Sequence, residues 1–215
     1  MKKIVLYGAG GFGKEVATLI EWINWKKPTY ELLGFIDDGA QFNEGIMIND
    51  YPWLGGSQWI IDHREDTFCT CTIGDVSIKS KIQEELTRIG VQFESLVAID
   101  AFVSKNTSIG KGSVIYGGVT ISVNCSIGNG VLINQGCTIG HDAIIGDYTT
   151  IMPGTGISGA VKVGSGVSIG GHAFIVPEKK IGDGATVAAG SIVFTNVKAG
   201  TTVLGNPAKR MKGLE

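Results

Sequence analysis

The residue pair best suited to catalysis in this sequence is His141-Asp142, which follows Ile139-Gly140. A neutral imidazole can accept a proton from an attacking amine or hydroxyl near neutral pH, and a neighbouring carboxylate can orient its ring. The pair therefore predicts general-base catalysis if the imidazole faces a cleft. The alternative is a solvated surface histidine beside an unrelated aspartate, and the surrounding elements must decide between the two.

A second candidate site is the glycine-rich segment 8–13, Gly-Ala-Gly-Gly-Phe-Gly, between a predicted strand and a predicted helix. Backbone N–H groups at such a helix start can approach a pyrophosphate, and Asp37 and Asp38 after the next strand could bind ribose hydroxyls or a base. Alone, the motif predicts a nicotinamide-dependent dehydrogenase. The front half has only about ninety residues, which suits one nucleotide better than two. A tight turn without a ligand is the remaining alternative.

Composition narrows the possible partners. The formal charge of -2 and the pI near 5.9 provide no basic surface for nucleic acid. The apolar run Ile4-Val5-Leu6-Tyr7 is too short for a signal sequence or a membrane span. We therefore expect a cytoplasmic protein that binds neither nucleic acid nor membrane. Cys69 and Cys71 alternate within a predicted strand without a second pair, and they are expected to be buried thiols.

Residues 1–93 are predicted to form an α/β domain. Apolar runs indicate strands, and stripes such as Ile78, Ile82, Leu86 and Ile89 indicate helices. A short fourth strand is expected from Val91. The predicted elements are strands at Lys3–Tyr7, Glu31–Ile36 and Thr67–Ile73, and helices at Lys14–Trp25 and Ser77–Ile89.

Residues 94–215 follow a period of six. Every sixth residue from Val97 to Val193 is valine or isoleucine, and the fifth residue of each hexad is small except at Lys179. Because a strand points alternate residues to one face, both positions can face inward from a short strand before the chain turns a corner. The repeated positions are Val97, Val103, Ile109, Ile115, Ile121, Ile127, Ile133, Ile139, Ile145, Ile151, Ile157, Val163, Ile169, Ile175, Ile181, Val187 and Val193.

A second period, of eighteen, indicates that three hexads form one coil. Glycine recurs at this interval, as expected where equivalent corners stack. These observations predict a triangular prism of parallel strands, with coils about 4.8 Å apart. A non-catalytic scaffold is the alternative. The glycines of the series are Gly110, Gly128, Gly146, Gly164 and Gly182.

The hexads at 109–113 (Ile-Gly-Lys-Gly-Ser) and 127–131 (Ile-Gly-Asn-Gly-Val) resemble those of the hexapeptide-repeat acyltransferases, whose prism is a left-handed parallel β-helix. The whole chain, with its Rossmann-like front half, resembles the sialic-acid O-acetyltransferase family. Within that family it is most similar to the N-acetyltransferases of nucleotide-linked 4-amino-4,6-dideoxysugars. The motifs that carry the likeness are the glycine-rich segment, Gly34-Phe35-Ile36-Asp37-Asp38, Ile73-Gly74-Asp75, Lys79-Ser80-Lys81, Asn134, His141-Asp142 and Gly205-Asn206-Pro207-Ala208-Lys209-Arg210.

The resemblance implies a homotrimer with active sites between subunits and acetyl-CoA as co-substrate, without a metal. It assigns His141 as general base, Asp142 as the group that orients it, and Asn134 as a contact to the sugar near its amine. Acetyl-CoA would contact the Gly159 amide, which would stabilise the oxyanion, and Lys209 or Arg210 near a phosphate. The nucleotide-sugar would be held by Gly8, Gly10, Gly13, Asp37, Asp38, Gly74 and Asp75.

Two residues depart from the family pattern. Some relatives carry a second histidine where this chain has Thr150, and the charged Lys179 is expected to make its coil bulge outward. His172 matches no catalytic motif and is expected on the surface. A zinc site like that of the γ-class carbonic anhydrases is not expected, since the histidines include no closely spaced pair. Sugar O-acetylation, a nicotinamide oxidoreductase and a non-catalytic scaffold remain alternative functions.

Overall fold

The computed structural model describes residues 1–40, 42–43 and 45–211. They form two compact units, Met1–Ile99 and Asp100–Glu215. In the first unit the chain forms strands and helices in the order expected of an α/β domain. The elements are β1 Lys2–Tyr7, α1 Gly11–Lys26, β2 Tyr30–Ile36, β3 Met47–Ile48, β4 Tyr51–Pro52, α2 Ser57–Asp62, β5 Thr67–Cys71, α3 Val76–Arg88, β6 Gln92–Phe93 and β7 Leu96–Val97.

The first unit is built on a parallel sheet in the order β2-β1-β5-β6. Val5, Ile36 and Ile60 are fully buried in its core, and Cys69 and Cys71 are buried free thiols, as expected. The short hairpin of β3 and β4 and the helix α2 are additions that the apolar pattern did not predict. Strand β2 lies on one side of β1, and β5 lies on the other side.

Helix α3 forms as predicted, but only part of its apolar stripe is buried: Leu86 packs in the core, with Ile82 against it. Ile78 and Ile89 are 51% and 47% exposed, whereas Lys79 and Gln83 are 3% exposed. The helix begins at Val76 and is capped by Asp75, whose Oδ1 accepts a hydrogen bond from the Ile78 N–H at 2.9 Å. This cap and the contacts of α3 with β5 and β6 set the rotation of the helix. Ile78 and Ile89 therefore line an open cleft instead of the core.

The second unit is the predicted prism, in which each coil contributes one strand to each of three faces. The first face contains β8, β11, β14, β17, β20 and β23, the second β9, β12, β15, β18 and β21, and the third β10, β13, β16, β19, β22 and β24. The strands are β8 Phe102–Val103, β9 Ser108–Ile109, β10 Val114–Ile115, β11 Thr120–Ile121, β12 Ser126–Ile127, β13 Leu132–Ile133, β14 Thr138–Ile139, β15 Ile144–Ile145, β16 Thr150–Ile151, β17 Gly156–Ile157, β18 Lys162–Val163, β19 Ser168–Ile169, β20 Phe174–Ile175, β21 Lys180–Ile181, β22 Thr186–Val187, β23 Ile192–Val193, β24 Thr202–Leu204 and β25 Lys209–Arg210.

Strands on each face pair in parallel with the strand one coil away. Ile121 pairs with Ile139 and Ile127 with Ile145, and these side chains are buried inside the prism. The small polar residues inside the prism are satisfied by a regular contact. The Ser113, Cys125 and Thr149 side chains each donate to the carbonyl 15 residues further along, in the next coil. Hydroxyls and thiols are thus accommodated among aliphatic side chains without loss of a hydrogen bond.

The outward bulge expected at Lys179 is wrong. Lys180 and Ile181 pair with Lys162 and Val163 in the regular register. The corner before them closes normally because Glu178 adopts a left-handed conformation, with φ 64°. The irregularity lies one coil later, where Val187 pairs with Val203, only 16 positions away.

Candidate active site

His141 and Asp142 form the corner between β14 on the first face and β15 on the second. Asp142 has a φ of 58°, a left-handed conformation that aspartate tolerates better than most residues. The side chains of His141 and Asp142 point away from the prism and are 63% and 53% exposed. The outward placement predicted for the imidazole is therefore present.

The two side chains are joined by a hydrogen bond of 2.7 Å between His141 Nδ1 and Asp142 Oδ2. When the imidazole is neutral and Nδ1 carries the proton, Nε2 keeps a lone pair that can accept one. This bond and a second from Asn124 hold the pKa of Asp142 below its usual value. The carboxylate thus stays ionised and available to orient the ring.

Gly159, one coil beyond His141, lies directly against the imidazole. A Cβ on residue 159 would lie 2.5 Å from His141 Nε2, which is closer than real Cβ atoms approach other atoms. The backbone of Gly159 is not in the left-handed region, so its close approach to the ring, and not its conformation, calls for glycine. The expected proximity of Gly159 and His141 is present.

The Gly159 amide lies at the corner after the first face, in the hexad position that carries a cap at the corner after the second face. After the second face, the N–H groups of Lys111, Asn129 and Ser165 donate to side-chain oxygens one coil further along, at 2.9, 2.7 and 2.9 Å. The residue in the corresponding place above Gly159 is Pro177, whose side chain offers no acceptor. No cap from that position therefore competes for the Gly159 N–H.

Asn134 follows β13 and is 8% exposed. Its Oδ1 accepts a hydrogen bond from the Gln135 N–H at 2.8 Å. Strand β14 lies between the corner with Asn134 and the corner with His141, so the two are on successive corners of one coil.

Thr150 is 6% exposed on the third face, beside Leu132. His172 is exposed, as expected, and its ring lies against Gly154.

The glycine-rich segment of the first unit follows β1 and opens α1. Gly8 has a φ of 120°, and a Cβ on Gly13 would collide with the Gly8 carbonyl oxygen. Gly10 is the N-cap of α1, and it has no side chain that could accept a hydrogen bond from the first N–H groups of the helix. The segment, the loop after β2 and the loop after β5 meet at the carboxyl edge of the sheet, around the point between β1 and β5 where the strand order reverses. This is the usual ligand position in such sheets.

Asp37 and Asp38 each hold part of this edge together. Asp37 accepts hydrogen bonds from the N–H groups of Ala9 and Gly39, both at 2.9 Å. Asp38 accepts from the Tyr7 hydroxyl and from the Ser57 N–H at the start of α2. Burial would raise the pKa of Asp38, but these hydrogen bonds outweigh it and hold the pKa below its usual value.

A cleft of about 840 Å³ opens beside these carboxylates. Asp37 and Asp38 line one part of it, and Ile78, Lys81 and Arg88 of α3 line another. Sequence reasoning missed these α3 residues as a lining, because apolar spacing indicates a helix but does not distinguish a core face from the wall of a cleft. Gly74 has open space around its Cα, and Asp75 serves as the α3 cap.

A smaller cleft of about 380 Å³ lies at the end of the prism. Lys209 and Arg210 line it, together with Lys198, which the sequence analysis did not single out. The signal was available, since Lys198 lies in the shortened last coil, where the hexad pattern stops. Three basic side chains at one cleft can bind a phosphate group.

Residues 1–40, 42–43 and 45–211 contain no group of three or more His, Cys, Asp or Glu side chains placed to hold a metal ion. None of their helices is long and apolar enough to cross a bilayer.

Comparison with family models gives two matches. Residues 3–86 match the PglD N-terminal domain, and residues 124–159 and 142–177 match the bacterial transferase hexapeptide (six repeats). The predicted fold class, a Rossmann-like α/β domain followed by a left-handed parallel β-helix, is confirmed. The sequence has no match among curated proteins.

Several solved structures are similar over nearly the full chain. WeeI from Acinetobacter baumannii AYE is 32% identical with a TM-score of 0.86, covering 97% of this chain and 99% of that one. The acetyltransferase domain of PglB from Neisseria gonorrhoeae FA1090, solved in complex with acetyl coenzyme A, is 28% identical with a TM-score of 0.88, covering 98% and 99%. PerB from Caulobacter crescentus, solved in complex with CoA and GDP-perosamine, is 24% identical with a TM-score of 0.86, covering 98% and 97%, and it supports the fold alone.

Proposed function

The chain belongs to the hexapeptide-repeat acyltransferases that carry a PglD-type N-terminal domain, and on this premise we propose that it is an acetyl-CoA-dependent sugar N-acetyltransferase. Its acceptor is the amino group of a nucleotide-linked 4-amino-4,6-dideoxysugar. The observation that carries the proposal is the position of His141, bonded to Asp142 through Nδ1 and lying against the Gly159 backbone.

The chemistry follows from these three residues. His141 Nε2 removes a proton from the acceptor amine as the amine nitrogen attacks the thioester carbonyl. The developing oxyanion accepts a hydrogen bond from the Gly159 N–H, which Pro177 leaves without a cap. The carbon–sulfur bond then breaks, the imidazolium returns its proton to the CoA sulfur, and the amide product leaves. No enzyme nucleophile is required.

The donor and acceptor sites have separate support. The PglB acetyltransferase domain, similar over almost its whole length, binds acetyl coenzyme A. For the donor, Lys209 and Arg210 line the cleft at the end of the prism. For the acceptor nucleotide, the edge formed by Gly8, Gly10, Gly13, Asp37, Asp38, Gly74 and Asp75 adjoins the larger cleft. Asn134 is assigned to the sugar near its amine.

Apolar residues around the His141 corner support an active site at a subunit boundary. Val123, one coil before His141, is 45% exposed, and Ile144 is 44% exposed. Exposed aliphatic groups beside an exposed base are typical of a surface that another subunit covers. We therefore propose that a second subunit covers this corner, in the homotrimer that the family resemblance implies. We further propose that the enzyme acts in the cytoplasm, in the biosynthesis of cell-surface polysaccharides.

The deciding experiment is a CoA-release assay with UDP-, dTDP- and GDP-linked 4-amino-4,6-dideoxysugars, with free sialic acid as a further acceptor. We expect turnover with one of the nucleotide-linked amines and a product stable to mild alkali. His141→Ala should lower kcat by about 10²-fold or more. His172→Ala is the matched control, because that imidazole also lies against a glycine on the prism. Normal turnover by His141→Ala would refute the base assignment, and an alkali-labile sialic-acid product would favour O-acetylation.

A further inference from the structure

Asn124 lies one coil before Asp142, and the two side chains form a hydrogen bond. The Asn124 Nδ2 donates to Asp142 Oδ1 at 3.1 Å across 18 residues. Both residues have a φ of 58° at the same corner of successive coils. The amide thus contacts one carboxylate oxygen while His141 Nδ1 contacts the other.

An exposed carboxylate needs such a second contact to orient an imidazole. The torsion that turns an aspartate carboxylate is broad, and the Asp142 side chain is 53% exposed, so water competes for both oxygens. A donor fixed on Oδ1 leaves Oδ2 directed at His141 Nδ1. Nε2 then remains the unprotonated nitrogen of the neutral ring.

The backbone around this corner is held from the same coil. The Val123 carbonyl accepts a hydrogen bond from the Asp142 N–H at 3.0 Å, and the Cys125 thiol donates to the Gly140 carbonyl at 3.1 Å. Residues 123–125 therefore position both flanks of His141, and Asn124 adds the contact to its carboxylate partner.

We propose that Asn124 is a positioning residue of the acetyl transfer, one that fixes the Asp142 carboxylate and thereby the tautomer and direction of the His141 base. The proposal rests on the function proposed above. In this role Asn124 acts through its hydrogen bond to Asp142 and not on the reacting atoms.

The surroundings of Asp142 are consistent with this role. Among the described residues, the groups that shift the pKa of Asp142 by hydrogen bonding are His141 and Asn124, and the charge that acts on it is that of His141. The residue one coil after Asp142 at this corner is Ala160, whose side chain is a methyl group. The residue one coil before Asn124 is Asn106. An asparagine needed only for its left-handed backbone would serve equally as glycine, and this difference makes the role testable.

Two substitutions separate the amide from the backbone conformation. Asn124→Gly keeps access to the left-handed conformation but removes the donor. We expect kcat to fall about fivefold to tenfold with KM changed less than about twofold, since the lost contact acts on the base and not on binding. Asn124→Asp keeps the side-chain shape but sets a second carboxylate against Asp142. The added negative charge favours the imidazolium, so the acidic limb of the kcat/KM profile should move to higher pH by about 0.5–1 unit.

Asn129→Gly is a control away from the base: it removes a similar amide contact, at 3.4 Å, to Asp147 at another corner, together with the cap that Asn129 Oδ1 gives the Lys111 N–H. Its rate and pH profile should match those of the wild type. Wild-type kcat and an unmoved acidic limb in both Asn124 variants, beside an inactive His141→Ala, would overturn the inference and leave the proposed function standing. Wild-type turnover by His141→Ala would overturn both.

Discussion

The imidazole of His141 rests on the Cα of Gly159, so that a Cβ on residue 159 would lie 2.5 Å from Nε2. We predict that Gly159→Ala displaces the ring and lowers kcat by at least about tenfold, because a methyl group occupies the place of the base. Steady-state kinetics with a circular-dichroism melt check this.

Gly156→Ala is the control for that substitution. A Cβ on Gly156 would meet the Phe174 ring at 2.6 Å, so the variant also displaces a flexible aromatic side chain from the prism surface. Its melting temperature should fall as much as that of Gly159→Ala while its kcat stays near the wild-type value. Equal losses of kcat in the two variants would mean that crowding alone, without displacement of the base, accounts for the effect.

Pro177→Asp should place a cap over the Gly159 amide. At the corner after the second face, Asp183 accepts a hydrogen bond at 2.9 Å from the Ser165 N–H one coil earlier. At the corner after the first face, Pro177 has the same position relative to Gly159. The new carboxylate would occupy the oxyanion donor and repel the developing charge, and kcat should fall about tenfold to a hundredfold. Pro177→Ala should retain most activity. A fully active Pro177→Asp enzyme would argue against an oxyanion role for this amide.

Lys209 and Arg210, in the cleft at the end of the prism, should bind the 3′-phosphate of acetyl-CoA. Replacing both Lys209 and Arg210 with alanine is expected to raise the KM for acetyl-CoA about tenfold and leave kcat unchanged, since the two line the terminal cleft far along the chain from the base. The effect should disappear when 3′-dephospho-acetyl-CoA is the donor. Lys162→Ala, on the second face, serves as control. An unchanged KM in the double variant would remove these residues from the donor site.

Lys79 should give the front unit a stability that depends on pH. Burial lowers the pKa of this lysine from 10.5 to about 8. Between about pH 8 and 10.5 the unfolded chain binds a proton that the folded chain does not, so the folded state gains stability as pH rises. Relative to Lys79→Met, the wild type should gain up to about 3 kcal/mol between pH 7.5 and 10.5, measured by urea unfolding.

The control for that measurement is Lys81→Met, which replaces an exposed lysine of the same helix. Its difference from the wild type should be independent of pH. Ionisation of the buried cysteines and tyrosines is common to all three proteins and cancels to a first approximation. A pH-independent difference for Lys79→Met would mean that Lys79 is not desolvated in the folded state.

Sequence periodicity predicted the prism well because a two-residue strand leaves one aliphatic position per hexad that must face inward. The same regularity predicts that His141 and Gly159 lie one coil apart. The irregular last coil was not predicted, since the loss of two residues between Val187 and Val203 breaks the pattern that made prediction possible. The bulge predicted at Lys179 was wrong because the backbone turn at Glu178 keeps the register whatever side chain follows.

The front unit was harder to predict in detail. Amphipathic spacing located α3 but not its rotation, which the Asp75 cap and the packing on β5 determine. The carboxylates of Asp37 and Asp38 were identified as ligand groups, whereas the structure shows that both also bind groups of their own chain. Hydrogen bonds between distant loops leave no periodic signal in a sequence.

The vertical stacking of corners also constrains how such a chain can change in length. Adding or removing 18 residues within the prism would keep every corner above its counterpart, so the molecule could grow or shrink by a whole layer with its lateral surfaces intact. Adding six between His141 and Gly159 would turn everything beyond the insertion by one face, and the ring of His141 would no longer share an edge with the glycine that now lies against it. Length variation that spares the chemistry should therefore come in complete layers.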